Sequence, residues 1–462
     1  MPTENTTRTT LASPIPTEAA YDRLRRHQWL AGEARADGVE RRTLLRMLAA
    51  AGVLAAPAAG GLLTPGRAYA QSPASPVPAA NPEPAVPVAG AASPVPGIVK
   101  PLPAEWFVPR GTNAEMRWDA LRDAQGGIGR HVPVERFFVR NHTSTPVIDA
   151  DGWRLRLFGS GLRGGPSAER PVEFGLADLR ALPATRISAL IECAGNGRSF
   201  YATQQNQTVP GTPWTLGGVG SAQWRGVRLA EVLRRAGLTR DAVDVLPSGL
   251  DPEYVSGGVD LGRVRRPLPV AKALDDVLLA YEMNGEPLTP DHGAPVRLVV
   301  PGWIGIASIK WVGSIEVADQ PLYSPWNTDF YRLFGPDYPA GGSAPVTTQV
   351  VKSAFELARG AVLEAGREHR LHGRSWSGAA PVRRVEVSTD GGLRWHRADL
   401  RDEPRADNWT RWSIDWRPDR PGPYELRARA TDRRGNTQPE TAVFNREGYL
   451  FDAVVVHPVT AA

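Results

Sequence analysis

The chain has 462 residues, a formal charge of +5 and a single cysteine. One thiol cannot close an intramolecular disulfide, and it cannot build a multi-cysteine zinc or iron–sulfur site. The part after residue 70 is close to neutral and carries no lysine-rich tract, which excludes nucleic-acid binding as a function class.

The first segment, residues 1–70, predicts a twin-arginine export signal. An arginine pair at 41–42 precedes an uncharged apolar stretch over 47–63, and an Ala-Tyr-Ala cleavage sequence follows at 68–70. An uncleaved membrane anchor is the alternative, but a comfortable span needs about 20 apolar residues. Twin-arginine export carries folded proteins, typically those loaded with a cofactor first. We therefore expect an exported, periplasmic or extracytoplasmic protein that holds a complex cofactor.

A linker and a first domain follow the signal. Residues 71–103 are rich in Pro, Ala, Val and Ser without a hydrophobic period, which indicates an extended linker. Over residues 104–343, strand patterns at 187–193 and 296–300 accompany an amphipathic helix at 229–237. This mixture predicts an α+β domain with its functional site at strand ends and on loops.

A second domain is predicted over residues 344–458, after the Gly-Gly-Ser-Ala-Pro sequence at 341–345. Helical patterns stop there, and apolar residues alternate with polar ones around Val385 and again over 424–430. Turn sequences close these strands at short spacing. Such a pattern predicts an all-β, immunoglobulin-like sandwich.

Cys193 lies in the sequence Ile-Glu-Cys-Ala-Gly-Asn-Gly-Arg-Ser over 191–199. The small residues 194–197 let another group approach closely, and Arg198 favours the thiolate. The thiol is then a nucleophile, a redox sensor or the single protein ligand of a metal that brings its other ligands. An inert buried cysteine is the remaining alternative. The surroundings favour the metal ligand.

Several separated segments, in order and spacing, resemble the sulfite oxidase family of molybdenum enzymes over nearly the whole mature chain. They are residues 137–142, 191–196 with Arg198, 224–227, 279–288, 291–297, 300–302, 309–311 and 388–392. The resemblance implies a molybdopterin-binding domain of the sulfite oxidase type, followed by an immunoglobulin-like dimerisation domain. A homodimer formed through the sandwich is expected.

The resemblance also implies a molybdenum-molybdopterin cofactor. Cys193 would bind the metal, while basic and polar residues would hold the pterin and its phosphate. The matching positions are Phe138, Val139, Arg140, Asn141, His142, Asp251, His292, Arg297, Ser308, Ile309 and Lys310. Alternatives stay open at three of them: Arg297 in a buried ion pair, and His292 and Asp251 as turn residues.

For the substrate, the resemblance implies a pocket formed by Arg140, Arg198 and Tyr331, with Arg446 as a further candidate reaching over from the sandwich. The implied reaction is oxidation of sulfite to sulfate by oxo transfer from Mo(VI). No haem is expected in this chain, because no segment resembles the haem b domain that animal members carry, and no Cys-x-x-Cys-His sequence is present to attach haem c. Electrons would pass to a separate cytochrome. Sulfane-sulfur dehydrogenase and nitrate reductase are alternatives on the same scaffold, and a non-catalytic exported binding module is another.

Overall fold

The computed structural model describes residues 97–122, 129–406 and 408–462. The predicted signal peptide (1–70) and most of the predicted linker (71–103) therefore lie outside the described residues. Within the described ranges, no helix has both the length and the apolar character needed to cross a bilayer.

The first domain consists mostly of short strands with a few short helices. Its strands are β1 (Phe107–Arg110), β2 (Asn113–Met116), β3 (Arg154–Phe158), β4 (Val172–Gly175), β5 (Ala184–Glu192), β6 (Val219–Arg228), β7 (Asp244–Gly249), β8 (Val255–Ser256), β9 (Val259–Asp260), β10 (Leu268–Pro269), β11 (Leu278–Met283), β12 (Glu286–Pro287), β13 (Arg297–Val299) and β14 (Val312–Ala318). Its helices are α1 (Leu176–Ala181), α2 (Ser199–Gln205), α3 (Leu229–Arg235), α4 (Val270–Asp275) and α5 (Pro325–Thr328).

Two sheets organise this domain. One has the strand order β10-β7-β14-β3-β4, in which only β14 and β3 run parallel. The other has the order β12-β11-β6-β5, with β13 paired to β11, and is antiparallel throughout. The predicted strand that ends at the thiol is β5, and the predicted helix that stops at Gly237 is α3. Both predictions are confirmed.

The second domain contains two packed sheets. Its strands are β15 (Lys352–Phe355), β16 (Ala361–Leu363), β17 (His369–Trp376), β18 (Val382–Ser388), β19 (His396–Arg397), β20 (Asp399–Leu400), β21 (Thr410–Trp416), β22 (Gly422–Asp432) and β23 (Val456–Ala461). The sheets have the orders β15-β17-β21-β20 and β16-β23-β22-β18-β19. Phe355 and Trp412 from one sheet share a core with Val385 and Leu426 from the other. The alternating strands were predicted; the immunoglobulin-like assignment stays a prediction.

The end of the predicted linker packs against the first domain instead of extending into solvent. Ile98 is buried in a small cluster with Phe107. The backbone N–H of Lys100 donates to Asp291 Oδ2 at 2.7 Å, and its ammonium donates to the carbonyl of Phe137 at 2.5 Å. Residues 97–103 were assigned to the linker from composition, and these long-range contacts correct that boundary.

The two domains share a hydrophobic junction. Trp118 of the first domain stacks on Trp376 of the second at 5.9 Å and contacts Trp409 at 5.8 Å. The chain between β22 and β23 also returns to the first domain, where the N–H of Leu450 donates to the carbonyl of Ala194 at 2.8 Å. The second domain therefore reaches the loop that carries Cys193.

Candidate active site

Cys193 begins the loop that follows β5. Its N–H donates to the carbonyl of Gly218 at 2.9 Å, and its carbonyl accepts from Asn196 at 2.9 Å. The side chain is free and 8% exposed. It lines two adjoining cavities, which also share Arg140, Asn141, His142 and Tyr331. We call them the inner and the outer cavity.

Two glycines make room for Arg198 beside this loop. A Cβ on Gly195 would lie 2.8 Å from the guanidinium carbon of Arg198, and one on Gly211 would lie 2.6 Å from its Nη1. The guanidinium donates to the carbonyls of Glu447 at 3.0 Å and Thr212 at 3.3 Å. The small residues near the thiol thus accommodate this arginine, which lines the outer cavity.

The inner cavity contains about 720 Å³ of atom-free space. Its basic wall includes Arg297 at the start of β13, which is 4% exposed. The guanidinium donates to the carbonyls of His292 at 3.0 Å and Ser308 at 3.1 Å. No described carboxylate lies within ion-pair distance of it, so the ion-pair alternative for Arg297 is not realised here. Burial lowers the pKa of Arg297 to about 9.

Lys310 and His292 add to the same wall. Lys310 donates to Asn141 Oδ1 and, at 2.9 Å, to the carbonyl of Asp291. Burial, together with Arg297, holds the pKa of Lys310 well below its usual value. Burial and the surrounding cations also hold the pKa of His292 well below 6.5, so its ring is neutral near pH 7. Arg297, with a pKa of about 9, therefore supplies positive charge to this wall without a described carboxylate at ion-pair distance.

Asp251 is the acidic group of this wall with an unsatisfied oxygen. It is 2% exposed, and its Oδ1 is buried without a hydrogen-bond donor. Burial raises the pKa of the Asp251 carboxyl to about 6, although Lys310 opposes the shift. A buried acceptor without a donor costs stability unless a ligand supplies one.

The outer cavity places Arg140, His142 and Tyr331 beside Cys193. Arg140 donates to Nδ1 of His142, and the Tyr331 hydroxyl lies 3.3 Å from Nε2 of that ring. Burial, followed by Arg140 and Lys310, keeps the pKa of His142 well below 6.5. Burial alone would lower the pKa of Arg140, but facing Tyr331 and Cys193 raise it. The arginine charge is therefore fixed next to a neutral imidazole.

Tyr331 is held in a strained backbone conformation with φ of 57°. Its ring stacks on Tyr449 at 5.1 Å with an interplanar angle of 7°. Burial raises the pKa of both phenols. Non-glycine residues with positive φ are uncommon and gather at functional sites. The strain agrees with a position fixed for function.

The second domain contributes Glu447 and Tyr449 to the outer cavity, and neither was predicted. They lie on the segment that crosses between domains, where no local pattern marks them. Arg446 was the predicted contribution from this segment. Its side chain is exposed and lines neither cavity, because its backbone pairs with Phe334 and its neighbour turns inward. The expected arginine is thus replaced by a carboxylate.

The other predicted site residues line the inner or the outer cavity, with one exception. Val139 pairs its backbone with Ala114 at 3.0 Å and packs in a separate cluster, so it lines neither cavity. Asp291 and Trp311 line the inner cavity and were not chosen from the sequence, although both adjoin chosen residues. The predicted site residues that line the inner cavity are Phe138, Arg140, Asn141, His142, Cys193, Asp251, His292, Arg297, Ser308, Ile309, Lys310 and Tyr331.

Comparison with known proteins agrees with this arrangement. Residues 142–326 match the oxidoreductase molybdopterin binding domain, and residues 346–457 match the Mo-co oxidoreductase dimerisation domain. The mitochondrial sulfite oxidase of Macaca fascicularis is 39% identical over 341 residues, which cover 70% of this chain and 60% of that protein. The chain thus spans less than two thirds of that relative's length.

Two further relatives are covered more completely. The sulfite oxidase of Arabidopsis thaliana is 31% identical over 344 residues, with 69% of this chain and 85% of that protein covered. The sulfane dehydrogenase SoxCD from Paracoccus pantotrophus has a TM-score of 0.62 and 26% identity, covering 76% of this chain and 84% of the solved chain. Fold and site together define a molybdopterin-binding oxidoreductase. The chain belongs to the sulfite oxidase family of molybdenum enzymes.

The residues present fit the molybdenum-molybdopterin cofactor of that family. The inner cavity offers the unpaired charge of Arg297, with the amino group of Lys310 as a further donor, for a phosphate. It also offers the unsatisfied Oδ1 of Asp251 for a hydrogen-bond donor such as a pterin amide edge. At its boundary, Cys193 supplies a soft sulfur ligand suited to the metal.

Proposed function

We propose that the protein is an exported enzyme that oxidises sulfite to sulfate and passes the electrons to a separate cytochrome. One observation carries the proposal. Cys193 lines both an inner cavity whose wall includes the unpaired Arg297 and an outer cavity that contains Arg140 and Arg198. The names of the Macaca and Arabidopsis relatives support sulfite as the substrate.

In the inner cavity, Arg297 and Lys310 would bind the cofactor phosphate, while Asp251 would accept a hydrogen bond from the pterin. Cys193 would bind the metal through its sulfur. When bound, the cofactor supplies oxygen-atom transfer and takes up two electrons. The protein contributes the position of each of these groups, set by β13, by the loops after β5 and β7, and by the segment before β14.

In the outer cavity, Arg140 and Arg198 would attract and orient an oxyanion. Both guanidinium groups are charged at any working pH, and a concave site concentrates their field. The Tyr331 hydroxyl, close to His142, can donate a hydrogen bond to an oxygen of the substrate. These groups favour the binding of a small anion next to the sulfur of Cys193.

The remaining parts of the proposal follow from the sequence. The twin-arginine pattern supports export to the periplasm or another extracytoplasmic compartment. The match to a dimerisation domain supports a homodimer formed through the second domain. Since the chain has one cysteine and no Cys-x-x-Cys-His sequence, a cytochrome would be a separate partner.

Sulfane sulfur is the second candidate substrate. The similarity to the sulfane dehydrogenase SoxCD, over 84% of that chain, favours it. A nitrate reductase or a non-catalytic binding module would share the fold and differ in activity.

The deciding experiment measures molybdenum content and activity on the same purified protein. We expect bound molybdenum and cytochrome reduction that depends on sulfite. Reduction that depends only on a protein-bound sulfane donor, or nitrate consumption alone, would replace sulfite as the substrate. Absence of molybdenum and of all three activities would leave the binding module.

Cys193→Ser provides the matched control for the metal site. A hydroxyl is a harder and weaker ligand than a thiolate, so we expect activity to fall by at least about 100-fold. Bound molybdenum should fall with it. Because the two side chains are nearly the same size, the thermal unfolding midpoint of the cofactor-free protein should change little. Full activity in this variant would refute the role of Cys193.

A further inference from the structure

Glu447 is the only acidic residue among those lining the outer cavity in the described part of the chain. Its side chain is half-buried, and no hydrogen bond or ion pair to its carboxylate is found there. Only its backbone carbonyl is engaged, by Nε of Arg198 at 3.0 Å. Glu447 therefore brings an acidic side chain to the wall of the proposed anion site, and no direct partner among the described residues neutralises its carboxylate.

The charge balance of the cavity depends on this carboxylate. Arg198 donates only to backbone carbonyls, and Arg140 donates to a neutral imidazole, so neither has a bonded carboxylate. With Glu447 ionised, the two arginines and one carboxylate leave a single net positive charge. A substrate and a product that differ in charge respond to this balance to different extents, because Coulomb energy scales with the charge of the ligand.

We propose that Glu447 is a specificity-determining residue that weakens the binding of dianions in the outer cavity. This proposal rests on the proposed oxyanion site. Sulfate, the proposed product, is a dianion, whereas sulfite near neutral pH is present partly as a monoanion. Repulsion from Glu447 therefore acts most strongly on the product and speeds its release. It also selects among oxyanions of similar size by their charge.

The other titratable groups of the cavity keep their charge over the range in which Glu447 changes its own. Guanidinium groups carry their charge at working pH, and, despite burial, Tyr331 and Cys193 raise the pKa of Arg140. Phenols ionise near pH 10, and burial raises the pKa of Tyr331 and Tyr449 further.

The remaining titratable groups behave in the same way. Tyr254 is a third phenol of the cavity, Cys193 is bound to the metal in the loaded enzyme, and burial keeps the pKa of His142 well below 6.5.

Burial raises the pKa of Glu447, while Arg198 opposes the rise. Sulfate binding should therefore tighten as the pH falls and Glu447 takes up a proton.

The test is titration calorimetry of sulfate and of nitrate into the molybdenum-loaded protein and its Glu447→Gln variant. At about pH 8, removal of the charge should tighten sulfate binding about tenfold and nitrate binding about threefold, because nitrate carries half the charge. The variant should show no pH dependence of sulfate binding between about pH 5 and pH 8.

Two further variants serve as controls. One tests whether the shape of the side chain matters, and the other tests whether the net charge of the whole protein matters. Glu447→Asp keeps the carboxylate and should bind both anions as the unmodified protein does, within about twofold. Glu253→Gln removes an exposed charge next to Tyr254, and screening should keep its effect under about twofold. Equal gains for sulfate and nitrate in Glu447→Gln, or no gain at all, would overturn the proposal.

Steady-state kinetics with sulfite supply a second readout. If product release limits turnover, kcat of Glu447→Gln should fall and inhibition by sulfate should strengthen, while KM for sulfite falls. Calorimetry needs no turnover, so the two proposals can fail separately. An enzyme without sulfite activity that still shows the charge-dependent sulfate gain refutes only the proposed function, and the converse refutes only the role of Glu447.

Discussion

The domain junction and the inner cavity both bury charged side chains, but only the junction pairs its charges within the protein. At the junction, Glu192 and Lys352 are each 2% exposed and form an ion pair of 2.9 Å. Asn196 and Trp376 each donate to that carboxylate at 3.0 Å. In the inner cavity, Arg297 is also buried, but its guanidinium lies over the Trp224 ring and donates only to backbone carbonyls, without a carboxylate partner.

The difference separates structural charge from charge kept for a ligand. A buried charge is costly unless it is paired and fully hydrogen-bonded. The Glu192–Lys352 pair meets that condition within the protein, so it holds the second domain against the residue that precedes Cys193. Arg297 and Lys310 do not meet it, which means that an added anion completes their environment. Burial alone therefore does not distinguish a structural charge from a functional one.

Removal of one partner at the junction is expected to give the largest effect. Lys352→Met leaves the Glu192 carboxylate buried and unpaired, so the free energy of unfolding should fall by about 3–5 kcal/mol. Denaturant unfolding of the cofactor-free protein measures it. The double variant Glu192→Gln with Lys352→Met should recover part of the loss. If Lys352→Met unfolds like the unmodified protein, the junction pair has no structural role and the comparison fails.

Asp251 tests the other side of the comparison, with an intermediate effect of opposite sign. Its folded pKa of about 6 lies above the usual value near 4. The folded protein therefore binds a proton that the unfolded chain has released, and stability is lost as the pH rises through about 4 to 6. Above that window, Asp251→Asn should stabilise the cofactor-free protein by about 1–3 kcal/mol.

Unfolding measurements from about pH 4 to pH 8 check this expectation. The difference between Asp251→Asn and the unmodified protein should vanish at the acidic end, where the carboxyl is protonated in both states. Retention of molybdenum should meanwhile decrease in the variant, because the amide nitrogen cannot accept a hydrogen bond. Destabilisation of the cofactor-free protein by the same change would show that Asp251 already has a structural partner.

An exposed ion pair should give the smallest effect. Arg370 and Asp415 lie 2.6 Å apart, with side chains 55% and 43% exposed. Because solvent screens such a pair, Arg370→Met should change the free energy of unfolding by less than about 1 kcal/mol. The same denaturant series measures it beside Lys352→Met. A loss as large as that at the junction would mean that distance, and not burial with full hydrogen bonding, governs these pairs.

Local patterns in the sequence were sufficient for much of this description. The alternation around Val385 predicted β18, and the apolar run before Cys193 predicted β5. Family-matched positions such as Arg297 and Lys310 also lie together in the inner cavity. Each of these features depends on a short stretch of chain or on a motif that can be read in order.

The features missed by sequence reasoning depend on distant parts of the chain meeting. Lys352 and Glu192 are 160 residues apart in the sequence, and no periodic pattern predicts that they pair. Residues 97–103 have the composition of a linker. The backbone N–H of Lys100 nevertheless donates to the carboxylate of Asp291, which is 191 residues further along the chain. Arg446 and Glu447 are neighbours in sequence, and only the turn of the backbone decides which of them faces the cavity.

The crossing segment implies an order of assembly on the ribosome. Every residue that lines the inner cavity lies between positions 137 and 331, whereas Tyr449 follows Tyr201, with which it is hydrogen-bonded, by 248 residues. The nascent chain thus contains every residue found to line the inner cavity well before it contains Glu447 and Tyr449, which complete the outer cavity. A chain interrupted after its first domain would carry the residues of the inner cavity. It would lack the stack of Tyr331 on Tyr449 and the carboxylate of Glu447.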